Sequence, residues 1–410
     1  MRETRSDPTA LHRFSRRQFL ATTAVATAGI AGCAGGDNDT TADGLDTPTQ
    51  PIVENPPQAV YKPTHRESVG LLDTVQAGDY MLLPHFTTPH QFWLMRGSGE
   101  PVVTEPDAQG LHFMFAFWDS ETGHQLPVDA GAEMTIRQDG KLVDRREPWP
   151  MISQSMGFHF GDNIELPTYG TYTIEVQLNE MGARKTGAFE GRFEEPVATS
   201  FEFEFDEETH QEAIQGVEFL PEEEWGERGA LELMGHSDHG HGDDDDHDDD
   251  SHDHDGHDDS HDHDNHDDGH DDDEHDDHGG HGHPEMSLSP AESYPGEDLS
   301  IHTSGDAEFV IRYIENSRLA SGGENYLLVS PRTPYNRIPL PDMSLSVEGD
   351  IEGEPEQTLD DELGHHYGLT ADLAAGDSFE LTVDTPPQVA RHQGYETAFI
   401  EMDSMTVEWL

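Results

Sequence analysis

The sequence predicts an all-β protein built from two duplicated antiparallel β-sandwich domains joined by a disordered linker rich in histidine and aspartate. Three observations predict it. Most segments alternate with period two: GLHFMFAFWD sets Phe113, Phe115 and Phe117 on one face, TYTIEVQL sets Tyr172, Ile174, Val176 and Leu178 on one face, and SFEFEF opposes Phe201, Phe203 and Phe205 to glutamates. The stretch 157–187 aligns without gaps on 364–394 at a constant offset of 207, pairing His159 with His366, Val176 with Val383, Arg184 with Arg391 and Gly187 with Gly394. Upstream, 111–127 matches 325–341 more weakly, at an offset of 214. Between the copies, residues 236–283 hold 15 histidines, 21 aspartates and one glutamate with no Lys or Arg, a composition that buries too little apolar surface to fold.

The elements follow in order. Residues 1–32 read as a twin-arginine export signal, with Arg16 and Arg17 before a short apolar stretch too small to span a bilayer. The stretch ends in IAGC, which marks Cys33 as the lipid-bearing first residue of the mature chain. Residues 33–62 read as a disordered tether and 63–206 as the first sandwich, in which Asp139-Gly140 signals a two-residue hairpin. Residues 207–235 are a connector with a short helix near EETHQEAIQG, 236–283 the disordered linker, and 284–410 the second, degenerate sandwich.

Charge and cysteine count narrow the chemistry. Removing the linker's 22 acidic residues from the formal net charge of −65 still leaves −43, a composition resembling that of proteins from extreme halophiles. Such a surface disfavours nucleic acid and anionic lipid, so the membrane is reached through the lipid on Cys33. Cys33 is the single cysteine, which excludes intrachain disulfides, iron–sulfur clusters and thiolate metal sites. No GxSxG, HExxH, phosphate loop or thiol nucleophile is present, so no enzyme is expected.

The stretch PWPMISQSMGFHFGDN (148–163) places Met151, Met156 and His159 in a short segment that Gly157 and Gly161 mark as a tight loop rather than a strand or helix. In LHFM, His112 and Met114 share the strand face opposite the phenylalanines, roughly 6.5 Å apart. Imidazole with thioether suits copper, above all Cu(I), and imidazole also accepts iron and zinc. His85 and His90, in LLPHFTTPHQFW, are weaker candidates.

These motifs resemble the extracytoplasmic iron-transport proteins that bind copper and iron through His, Met and Glu on an immunoglobulin-like sandwich and serve iron permeases. The resemblance covers about 110–205 and, more faintly, 324–410. It implies Met151 and His159 as loop ligands and His112 as the strand ligand, while Met114 stands where that family has Glu. The family's last histidine is missing from GARKTG in the first copy. The second copy reverses the pattern: VARHQG supplies His392 and HHYG supplies His365 and His366, but Tyr326 and Leu328 replace His112 and Met114. Each copy therefore carries part of a site, and the first is expected to hold the ion.

The function so implied is a lipid-anchored protein on the outer face of the cytoplasmic membrane that captures iron or copper and passes it to a membrane metal permease or another surface protein. The linker is expected to hold Zn(II), Ni(II) or Cu(II) weakly, and a homodimer is compatible with the sequence. The alternative is a structural or adhesion lipoprotein whose acidic tract is a spacer.

Overall fold

The computed structural model describes residues 50–99, 101–104, 106, 110–234 and 286–409. The leader with Arg16 and Arg17, Cys33 and the tract 236–283 lie outside the described residues. Those described all fall within one contact unit, Thr40–Leu410.

Alternation becomes sandwich. In strand Leu111–Asp119, Phe113, Phe115 and Phe117 point into the core and meet the facing sheet, Phe113 lying 5.5 Å from Phe203 in an edge-to-face contact. Burying each such ring stabilises by about 1.5–3 kcal/mol, and ring pairing adds about 0.5–1.5. The facing sheet runs Val197–Phe205, Gly170–Leu178, Glu133–Gln138, Lys141–Arg146. Its last hairpin turns at Asp139 and Gly140, with φ of 52° and 74°, the left-handed pair that this turn requires.

The first sheet has nine strands among the described residues. Its centre runs Tyr80–Thr87, Leu111–Asp119, Gly157–Ile164, Trp149–Ser153, then Ala390–Arg391 and Phe92–Leu94. The second copy forms a six-stranded sheet, 184–186, 356–360, 364–370, 326–332, 307–314 and 297–304, over a three-stranded one, 344–349, 378–385 and 405–408. All-β sandwich architecture and the duplication thus agree with the sequence. Gly157 and Gly364, equivalent at the 207 offset, both open a strand at left-handed φ, 64° and 66°.

The halves exchange strands. Ala390 and Arg391, from the second copy, pair in parallel with Met151 and Ile152 of the first. Arg184 to Thr186, from the first, pair in parallel with Thr358 to Asp360 of the second. Each loan covers a strand edge that would otherwise expose unpaired backbone groups. One continuous apolar core results, containing Phe113 and Ile174 with Phe309 and Leu381.

Two local readings differ, and the helix expected in the connector is present. Packing starts before residue 63, because Ala59, Val60 and Tyr61 are fully buried and the Tyr61 amide donates to Gly394 O at 3.1 Å. The connector holds helix Glu207–Gln215, capped by Asp206 accepting from the Thr209 amide at 2.8 Å, and strand Val217–Phe219 pairs with His65–Glu67. The stretch 148–163 is a β-hairpin, Trp149–Ser153 against Gly157–Ile164, rather than a loop. Only Gly157 serves the turn; Gly161 sits within a strand for the reason given next.

Candidate metal centre

Gly161 is the floor of the site. A Cβ added there would lie 2.8 Å from His112 Nε2, 3.0 Å from Met151 Sδ and 3.0 Å from Met114 Cγ. Pairing of Gly161 with Met114, and of Met151 with His159, sets these side chains around one point. Both methionines are fully buried, and Met151 packs with Phe92, Leu94 and Ala390.

His392 completes the arrangement from the other copy. Its amide donates to Ile152 O at 3.1 Å, extending the loaned strand. Arg391 beside it is fully buried and donates to the carbonyls of Ala398 and Phe399, and burial pushes its guanidinium down to about 9. After His392 the chain turns at Gly394, φ 97°, where Gln154 Nε2 caps Gly394 O at 3.4 Å and Tyr61 O at 2.6 Å. His392 Nε2 thereby comes to 3.2 Å from His159 Nε2.

The tautomers are fixed from behind. His159 Nδ1 faces Gly157 O at 3.2 Å, and a carbonyl only accepts, so the proton sits on Nδ1 and Nε2 is bare. His112 Nδ1 faces Asn163 Oδ1 at 3.0 Å; that amide is oriented by its own Nδ2 donating to His90 O at 2.8 Å. His90 Nδ1 faces Thr88 O at 3.1 Å and Glu67 Oε1 at 3.2 Å. The Nε2 atoms of His90 and His112 are buried and make no hydrogen bond. Ligand atoms of His90, His112 and His392 lie within 4.8 Å of one another, the one such group of three found among the described residues.

Burial pushes His159 down to about 3, holds His112 and His392 well below the ordinary range, and lowers His90. The rings are therefore neutral donors at neutral pH. Burial opposes charge on Glu67 too, yet His90, His65 and Gln50 together keep its carboxyl below the usual range. Two bare Nε2 atoms about 3.3 Å apart are what tetrahedral coordination at 2.0–2.1 Å demands. Without a cation, the 3.2 Å contact needs a proton on His392. A cleft lined by His65, Glu67, His90, Ser153, Met156, His392 and Gln393 reaches this group from the surface.

Of the residues singled out by sequence, the structure brings His112, Met151, His159 and His392 together, with Met114 at the edge and Met156 in the cleft wall. His85 pairs with Met114, its ring 6.3 Å from that of His159 and its Nδ1 at 3.0 Å from Leu83 O. His366 stays apart. It repeats the local geometry of His159, with Nδ1 at 3.1 Å from Gly364 O, but its Nε2 meets Tyr326 OH at 3.3 Å. Arg184 Nη1 reaches the same hydroxyl at 3.5 Å. Thr358 takes the place of Met151 opposite it. A guanidinium loaned by the first copy thus shares with His366 the Tyr326 hydroxyl, with no second imidazole on His366 Nε2. Glu67 and Asn163 were not singled out by sequence; Asn163 ends the stretch 148–163, and Glu67 lies in no motif.

A family model described as a domain of unknown function (DUF7350) matches residues 292–408. A comparison with curated proteins finds no match. Among solved structures, the chain is similar to a copper-bound variant of FetP from uropathogenic Escherichia coli strain F11, with 18% identity, 34% of this chain and 97% of that one covered, and a TM-score of 0.27. It is also similar to the same protein as isolated, with 18% identity, 34% and 96% covered, and a TM-score of 0.25.

Proposed function

We propose that the chain is an extracytoplasmic, lipid-anchored binding protein that captures a transition-metal ion, copper in preference to iron, and yields it to a membrane transporter. The observation that carries this reading is the buried group His90, His112 and His392, whose ligand atoms lie within 4.8 Å of one another, with His159 Nε2 3.2 Å from His392 Nε2 and the Met151 thioether beside His112 Nε2 at Gly161. Buried polar atoms without partners cost about 1–3 kcal/mol each, and a cation satisfies several at once. Imidazole and thioether with no carboxylate in the inner ring favour copper. The reading is of a binding protein rather than an enzyme.

Anchoring rests on the IAGC motif at Cys33, and among the described residues no helix is long and apolar enough to cross a membrane. The tract 236–283 is read as a local store of weakly held ions. Its described flanks both meet the hairpin turn beneath the site: the Met234 amide donates to Ser155 O at 2.8 Å, and Met286 packs against Gly157. The test is titration of the full chain with Cu(I) against a chromophoric chelator strong enough to strip the tract. One tight ion is expected, lost in His159→Ala and in His392→Ala. Retention of that ion by both variants refutes the reading.

A further inference from the structure

The inner donors are all neutral, so an ion bound among them leaves its charge uncompensated in a buried place. Glu67 is the carboxylate placed to answer it. It is 8% exposed, and its Oε1 lies 3.2 Å from His90 Nδ1, 3.4 Å from His65 Nε2 and 3.3 Å from Gln50 Nε2. His90 is the ring between Glu67 and the centre: its Nδ1 bonds Thr88 O at 3.1 Å and lies 3.2 Å from the carboxylate, its Nε2 has no partner, and it belongs with His112 and His392 to the group within 4.8 Å. Ring centroids of His90 lie 4.1 Å from His112 and 4.6 Å from His392.

We propose that Glu67 is a positioning residue that makes His90 a ligand, holding the ring whose tautomer Thr88 O sets and supplying beside the imidazole the negative charge the inner ring lacks. The inference rests on the metal-binding reading above. A carboxylate behind a ligating imidazole raises its basicity and holds its orientation, and losing such a partner typically costs about 10–100-fold in metal affinity. Glu67 and His90 both line the surface cleft, as does His392. The strand that carries Glu67, His65–Glu67, is clamped by antiparallel pairing to Val217–Phe219. Glu67 therefore owes its place in part to the connector, its flanks Thr64 and Ser68 being tied to Gln393 and Thr87 of the sandwiches.

The experiment compares the full chain with Glu67→Gln, Glu67→Asp, His90→Ala and the Glu67→Gln/His90→Ala double variant. Cu(I) and Cu(II) affinities are read by chelator competition, and the reduction potential of the bound copper is recorded. Glu67→Gln is expected to weaken binding about 10–100-fold and to raise the potential, since the oxidised ion loses more from the missing charge. Glu67→Asp restores part of both. In the His90→Ala background Glu67→Gln has no further effect on affinity. Unchanged affinity and potential in Glu67→Gln, or an equal loss with and without His90, overturns the proposal. Should Glu67→Gln not fold, Glu67→Asp decides in its place: a smaller loss of affinity and a smaller rise in potential are expected, and unchanged values of both overturn the proposal. If the unaltered chain holds no tight copper, it is the metal-binding reading that fails.

Discussion

Adding one methyl group at Gly161 tests the geometry of the centre more sharply than removing a ligand. The Cβ of Gly161→Ala lies 2.8 Å from His112 Nε2 and 3.0 Å from Met151 Sδ, whereas van der Waals contact needs roughly 3.5 Å or more. In the metal-free chain this is overpacking, worth about 1–3 kcal/mol of stability. In the loaded chain the methyl competes with the ion for the space the donors enclose. Affinity is predicted to fall by at least about 100-fold, or about 2.7 kcal/mol, read by Cu(I) competition with a chelator, while thermal unfolding of the apo form reports the packing cost alone. Gly368→Ala is the matched control. It is the equivalent glycine of the second copy, where the same Cβ would run into the ring and hydroxyl of Tyr326. That variant should lose stability and keep its metal. Normal binding by Gly161→Ala, or an equal affinity loss in Gly368→Ala, would refute the reasoning.

Other outcomes follow from the same physics. His159 and His365 are pushed by burial to about 3 and His366 to about 4, below the ordinary 6.5. The unfolded chain therefore takes up protons that the folded chain refuses. Apo stability should be complete above pH 6.5 and fall towards pH 4 by about 1.4 kcal/mol per pH unit for each ring; denaturant melts at pH 7 and pH 5 that coincide would contradict this. Asp360 is buried, yet Arg318, Thr186 and the Leu363 amide hold its carboxyl at about 2. Because Arg318 is half-exposed, Asp360→Asn should cost about 1–3 kcal/mol in a thermal melt with copper affinity unchanged; a parallel loss of affinity would tie the second pseudo-site to the first. With −43 outside the tract, unfolding midpoints should rise from 0.1 M to about 1 M salt as screening shortens, and a falling midpoint would contradict self-repulsion as the dominant surface term.

Much of the fold was legible because side-chain period reports backbone period: the phenylalanines of 111–119 and the apolar positions of 170–178 lie inward as their alternation requires. His112 was legible for the same reason, and Met151 and His159 through the resemblance, although their segment read as a loop. The arrival of His392 was not, because a parallel loan of Ala390–Arg391 across more than two hundred residues leaves no local periodicity. His366 misled by carrying the same glycine-histidine geometry as His159; what differs is the company, Tyr326 and Arg184, drawn from distant segments. Gly161 read as a loop residue, yet its use is to vacate space inside a strand. Glu67 had no signal at all, since a carboxylate behind a ligand needs only proximity in space.

The most direct measurement is the anomalous difference map of a crystal of the full chain loaded with copper. A single strong peak is predicted among His112 Nε2, His159 Nε2, His392 Nε2 and Met151 Sδ, with His90 turned toward it. A copper peak elsewhere in the folded chain, with these side chains still as they stand in the apo form, would contradict the account.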